Sequence, residues 1–130
     1  MYRATTHHIQ VTVEPDFLSE QSEPDEHHFV WSYTIEIENL GRIPVQLRHR
    51  HWIITDAQGR EQEVRGAGVV GEQPILEPGE SFTYTSGAPL STPSGFMRGH
   101  YQMQTEAGDV FDVEIPAFSL DSPYDVARVH

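Results

Sequence analysis

Between Arg48 and Pro74 the chain reads RHRHWIITDAQGREQEVRGAGVVGEQP, a stretch that gathers cationic side chains, a histidine pair and a glycine run. Arg48, Arg50, Arg60 and Arg65 lie here, four of the eight basic residues of a protein that has no lysine. Gly66-Ala67-Gly68-Val69-Val70-Gly71 has the G-x-G-x-x-G spacing of a dinucleotide fingerprint. That motif works because a strand feeds the loop and a following helix aims its N-terminal amides at a pyrophosphate. Val69 and Val70, followed by Pro74 and Pro78, argue against any such helix, so the dinucleotide reading fails. Two readings of the run stay open. In one, the main chain at Gly66, Gly68 and Gly71 forms an anion-binding nest for phosphate or pyrophosphate, flanked by Arg50, Arg60 and Arg65. In the plainer one, the chain crosses between sheets here and needs glycine backbone angles.

His49 and His51 are two residues apart, which on a regular strand sets them on one face, ~7 Å between Cα atoms. With a third ligand such as His100 or a carboxylate, they could weakly hold zinc, cobalt or nickel. The pairs His7-His8 and His27-His28 are adjacent and point to opposite faces if extended. For nucleophilic catalysis there is no cysteine, no Gly-x-Ser-x-Gly elbow and no serine with a recognisable base. The expectation is a non-enzyme; unplaced carboxylate pairs leave only a hydrolase open.

Totals narrow the classes further. The 130 residues read as one domain spanning 1–130, with a core over about 8–120 and a frayed tail from 121 to 130. A chain of this size buries roughly two-thirds of its unfolded surface, so a core without staples suffices. Neither a signal peptide nor an apolar run of the ~20 residues a membrane helix needs is visible, so a soluble cytoplasmic protein is expected. The net charge of −12 repels nucleic acid and anionic membranes, so neither is an expected partner. No cofactor is indicated.

The elements that would position these residues are strands. Nine prolines and ten glycines punctuate the chain at short intervals. In Phe29–Asn39, Phe29, Trp31, Tyr33, Ile35 and Ile37 fall on one face and Val30, Ser32, Thr34, Glu36 and Glu38 on the other, as in a half-buried strand. Similar reasoning gives strands at 8–13, 45–55, 61–64, 81–86, 97–105 and 110–115. A bulge is expected near His51–Ile53, where apolar side chains occupy both faces. Pro15–Glu26 reads as an acidic loop without the central glycine of a calcium-binding hand. Pro89–Gly95 reads as another loop, and Pro116 as the end of the last strand. Seven short antiparallel strands without helices make an all-β, immunoglobulin- or fibronectin-III-like sandwich. Trp31 then lies between the sheets. Tyr101 is either a corner tyrosine bonded to upstream main chain or an ordinary core residue.

A resemblance now enters on particular runs: Glu38-Asn39-Leu40-Gly41, Arg50-His51-Trp52-Ile53-Ile54-Thr55-Asp56, Gly66 through Pro74, Thr92-Pro93-Ser94-Gly95, Gly99-His100-Tyr101-Gln102-Met103 and Phe111 through Phe118. In order and spacing they resemble the ApaG family, over nearly the whole chain. The resemblance implies a fibronectin-III-like sandwich and a bacterial cytosolic protein associated with cobalt resistance and magnesium efflux, with no established activity. Related domains in eukaryotic F-box and polymerase-interacting proteins imply a module that binds a partner protein. Uncovered edge strands add the expectation of a symmetric homodimer. Two function classes follow. Exposed apolar residues on a sheet face or edge would favour a protein-interaction module. A pocket where glycine-loop amides and arginines converge would favour a small-ligand protein.

Overall fold

The computed structural model describes residues 1–125. Alternation in the sequence becomes alternation of burial: Phe29, Trp31, Tyr33, Ile35 and Ile37 are all buried, while Glu36 between them is exposed. The strands are β1 (Tyr2–Thr6), β2 (Ile9–Phe17), β3 (Phe29–Asn39), β4 (Val45–Asp56), β5 (Glu61–Ala67), β6 (Ile75–Leu76), β7 (Ser81–Leu90), β8 (Gly95–Thr105) and β9 (Val110–Leu120). One sheet has the order β1-β2-β3-β7; the other runs β5-β4-β8-β9, with β6 on β4. All pairings are antiparallel. This is the expected sandwich, with Trp31 only 1% exposed in its core.

Several boundaries differ from expectation, each for a local reason. β1 pairs with β2 through His7 and His8, both at positive φ (49° and 66°), the conformation of a two-residue hairpin turn without its usual glycine. β2 continues through Pro15 to Phe17, beyond the reach of β1, so one side of the strand is unpaired there and a missing amide hydrogen is tolerated. The rest of the acidic loop forms short 3-10 turns at Ser19–Gln21 and Pro24–Glu26. β9 does not stop at Pro116. The register with β8 shifts between the Met97–Phe118 and Gly99–Ile115 pairs, and this irregularity absorbs Pro116. β7 and β8 likewise extend into the expected 89–95 loop. The β4 bulge lies between Leu47 and His49 rather than at His51–Ile53.

Tyr101 is a core residue, not a corner tyrosine. Its hydroxyl pairs with that of Tyr84 across the two sheets, 2.5 Å apart. Trp31 donates from Nε1 to the Asp121 carbonyl at 2.7 Å, and its ring meets Phe17 edge-on. Part of the expected frayed tail, residues 126–130, lies outside the described residues. No helix among the described residues is long and apolar enough to cross a membrane.

The two flanks of the sandwich differ. On one, β1 is tied to β9: Tyr2 Oη meets Ser119 Oγ at 2.9 Å, and the Glu114 amide donates to Thr6 Oγ1 at 3.1 Å. On the other, the terminal strands are β7 and β5, and they flank a seam with two hollows.

Candidate functional site

The β4 bulge decides what the arginine–histidine stretch presents. After it, Trp52 is buried, so Arg50 shares the inner face while His49 and His51 face outward. From that inner position Arg50 reaches the glycine run with one nitrogen. Nη1 donates to the carbonyls of Ala67 at 3.1 Å and Gly68 at 2.9 Å.

The run is a hairpin tip. The amide of Gly68 donates to the Arg48 carbonyl at 2.9 Å, and Val69 and Glu72 exchange amide-to-carbonyl bonds of 2.8 Å each. Val70 and Gly71 are the two central turn residues, at φ of 44° and 81°. Gly68 has φ +64°, and a Cβ there would lie 2.2 Å from the Glu72 carbonyl oxygen, so glycine alone fits. Two amides of the run, those of Gly68 and Val69, are thus already bonded to main chain, and its carbonyls rather than its amides meet Arg50.

Of the three candidate anion-binding arginines, Arg50 and Arg65 line one hollow with Gly66, and Arg60 stands apart. Arg60 pairs with Asp56 at 2.7 Å across the Asp56–Gly59 turn, beside a separate hollow. The Asp56 carboxyl is held below its usual range: desolvation pushes it up, but bonds from the Arg60 amide and guanidinium and the Gln58 amide outweigh that. Arg65, on β5, reaches Glu63 at 3.1 Å, and that hydrogen bond, assisted by one from His51, lowers the Glu63 carboxyl.

What does converge is the outer face of the second sheet. Arg65, His51, His100 and Glu114 lie in register across four strands, and Ala67, His49, Gln102 and Asp112 form the adjacent row. A hollow of 440 Å³ opens over them, lined by His49, Arg50, His51, Arg65, Gly66, Ala67, His100 and Gln102. The rings of His51 and His100 meet edge to face, centroids 5.0 Å apart at 89°. Their Nε2 atoms lie near separate carboxylates, His51 3.4 Å from Glu63 and His100 3.9 Å from Asp112. So the three candidate metal ligands share a face without sharing a focus. Among the described residues no group of three or more His, Cys, Asp or Glu could hold a metal ion.

Two features escaped the sequence. Gln102, Glu63 and Asp112 join the histidine face; alternation along β8 marks Gln102 beside His100, but the cross-strand neighbours depend on where the bulge falls. At one end of the sandwich, Ile43 and Val110, each 57% exposed, flank a 310 Å³ hollow that also holds Phe111, with the His7 ring edge-on to it at 5.4 Å. Their signal in sequence is weak: isolated apolar residues beside turns.

A profile of the ApaG domain matches residues 19–105. The chain is 60% identical to Protein ApaG of Azorhizobium caulinodans over 129 residues, covering 99% of this chain and 98% of that one. With Protein ApaG of Rhodospirillum centenum the identity is 62% over 128 residues, covering 98% of each. Among solved structures, that of the ApaA protein from Bordetella pertussis superposes with a TM-score of 0.86 at 52% identity, covering 89% of this chain and 94% of that one.

Proposed function

Since the chain belongs to the ApaG family, we propose that it is a non-catalytic protein-interaction module working in the cytoplasm. The observation that carries this is the pair Ile43 and Val110, large apolar side chains more than half exposed around one hollow at the sandwich end. Leu40, 50% exposed, precedes Ile43 in the same turn. Apolar side chains gathered in this way mark contact surfaces. In this reading the link to cobalt and magnesium homeostasis, implied by the family resemblance, runs through a protein partner. The state of the glycine run agrees: the Gly68 and Val69 amides are bonded within the turn, which leaves little of a nest for an anion.

The test is photo-crosslinking in the native bacterium with a photoreactive phenylalanine at position 43. A discrete adduct that vanishes when Val110→Asp is added, with the fold intact, is the expected result. No adduct, or one indifferent to Val110→Asp, removes the reading.

A second reading rests on the 440 Å³ hollow, where Arg65 stands with three histidines. There a phosphate or pyrophosphate would be held by side chains, with Arg50 and Gly66 also in the lining. Any affinity would be micromolar to millimolar, about −8 to −4 kcal/mol, given the opposing net charge.

A further inference from the structure

β7 ends its sheet, and its sequence, SFTYTSGAPL, carries no charged side chain over ten residues. Exposed sheet edges are usually blunted by charge, bulges or proline, and Pro89 near the end is the only such device here. The facing edge β5 is different in kind, with Glu61, Glu63 and Arg65.

The backbone parity of β7 follows from two bonds. The Asn39 amide donates to the Glu80 carbonyl at 2.9 Å, which sets a hydrogen-bonded position at Asn39 opposite Glu80. Such pairs alternate along an antiparallel ladder, so Phe82, Tyr84, Ser86 and Ala88 turn their polar groups to β3. Ser81, Thr83, Thr85 and Gly87 turn theirs away, toward the seam. The Val30 carbonyl, bonded to the Leu18 amide on the far side of β3, agrees with that parity.

A strand laid along this edge would send alternate side chains inward. Opposite Tyr84 and Ser86 lies a 210 Å³ hollow lined by Tyr33, Arg50, Trp52, Tyr84 and the Val69–Gly71 turn. Opposite Leu90 lies the 250 Å³ hollow that holds Ile54, Asp56 and Arg60. Ser86 and Leu90 are four residues apart, ~13 Å along a strand, so inward residues of one peptide at i and i+4 reach both. Among the described residues Arg50 is in no ion pair; its recorded partners are carbonyls. A half-buried arginine that lines a hollow beside aromatic residues favours a carboxylate there.

We propose that the seam beside β7 binds one extended segment of a partner protein by strand addition, with an aspartate or glutamate of that segment entering the hollow at Arg50. This rests on the interaction-module reading and goes further, placing a second surface and the chemistry of its occupant. Main-chain bonds to Thr83, Thr85 and Gly87 would supply affinity, and the two inward side chains specificity.

The experiment is selection of a phage-displayed library of random linear decapeptides on the immobilised full chain. Enriched sequences should be extended and β-branched, with one acidic residue four positions from an apolar one. A synthetic copy should slow amide exchange at Thr83, Thr85 and Gly87, and bind at least tenfold more weakly after Glu→Gln at its acidic position. Thr85→Pro, which removes an outward amide, should abolish binding. Because that variant could fail to fold, the same peptide N-methylated at alternate amides is the second arm, and it too should not bind. Enriched peptides that bind Thr85→Pro normally but lose Ile43→Asp would overturn the seam while leaving the module reading standing. No enrichment at all overturns the seam proposal. Concentration-dependent dimerisation with the Thr83–Gly87 amides already protected would overturn it in favour of a second copy of the chain.

Discussion

Arg50 occupies the space where a side chain on Gly66 would stand: a Cβ there would lie 2.8 Å from Nη1 and 2.9 Å from Cζ of the guanidinium. The glycine and the arginine are one device. Gly66 lets the guanidinium pass over β5, and Arg50 then fastens the carbonyls of Ala67 and Gly68. The glycine spacing therefore has an architectural cause that needs no nucleotide.

From that device follows a graded series of glycine variants. Gly68→Ala combines positive φ with a contact of 2.2 Å to the Glu72 carbonyl, whereas Gly71→Ala has φ +81° and nothing within 4 Å. Urea denaturation should show a loss of about 1 kcal/mol for Gly71→Ala, from backbone strain alone, and of more than about 2 kcal/mol for Gly68→Ala, where a clash adds to it. Equal losses would mean that the hairpin tip is not packed as described.

Trp31→Ala should cost about 3–5 kcal/mol, the range for deleting a large buried aromatic. The ring is 1% exposed and its Nε1 also holds the Asp121 carbonyl. Chemical denaturation showing a loss below about 1 kcal/mol would place the ring at the surface.

High pH should loosen the domain through the tyrosine pair. Desolvation by burial raises the Tyr84 and Tyr101 hydroxyls above the ordinary tyrosine value, and Tyr33 shifts the same way. An unfolded tyrosine loses its proton near pH ~10, while these folded ones hold theirs to higher pH. The stability they contribute is therefore complete below about pH 10 and is lost as the pH rises through their folded values. Tyr84→Phe alone leaves the Tyr101 hydroxyl without its partner and should cost about 1–3 kcal/mol. The double Phe variant should recover part of that and flatten the alkaline slope of denaturation midpoint against pH. An unchanged slope would assign alkaline sensitivity to other groups.

These cases also locate what was legible in the sequence. Strict alternation in Phe29–Ile37 made β3 and its buried face readable without coordinates, and with it the sandwich. β1 was invisible because His7 and His8 take turn angles that are normally signalled by glycine or asparagine. Pro116 pointed to a strand end because a proline breaks a regular ladder, and a bulge is a non-local event that depends on β8. The inner and outer faces of β4 were unreadable for the same reason. One extra residue at Arg48 decides that Arg50 turns inward to the loop while His49 and His51 face outward.

On the reading proposed above, the Gly66–Gly71 run is a closed structural turn that binds no anion, and recognition belongs to protein-binding surfaces. The most direct test of this reading is titration of the isotope-labelled chain with inorganic pyrophosphate, following every amide resonance. The expected result is small, unsaturated shifts scattered over the surface, with Gly68, Val69 and Glu72 unmoved because their amides are already bonded within the turn. Saturable shifts confined to Gly66–Gly71, weakened by added salt and by Arg65→Ala without loss of fold, would contradict it and make the glycine run a phosphate site.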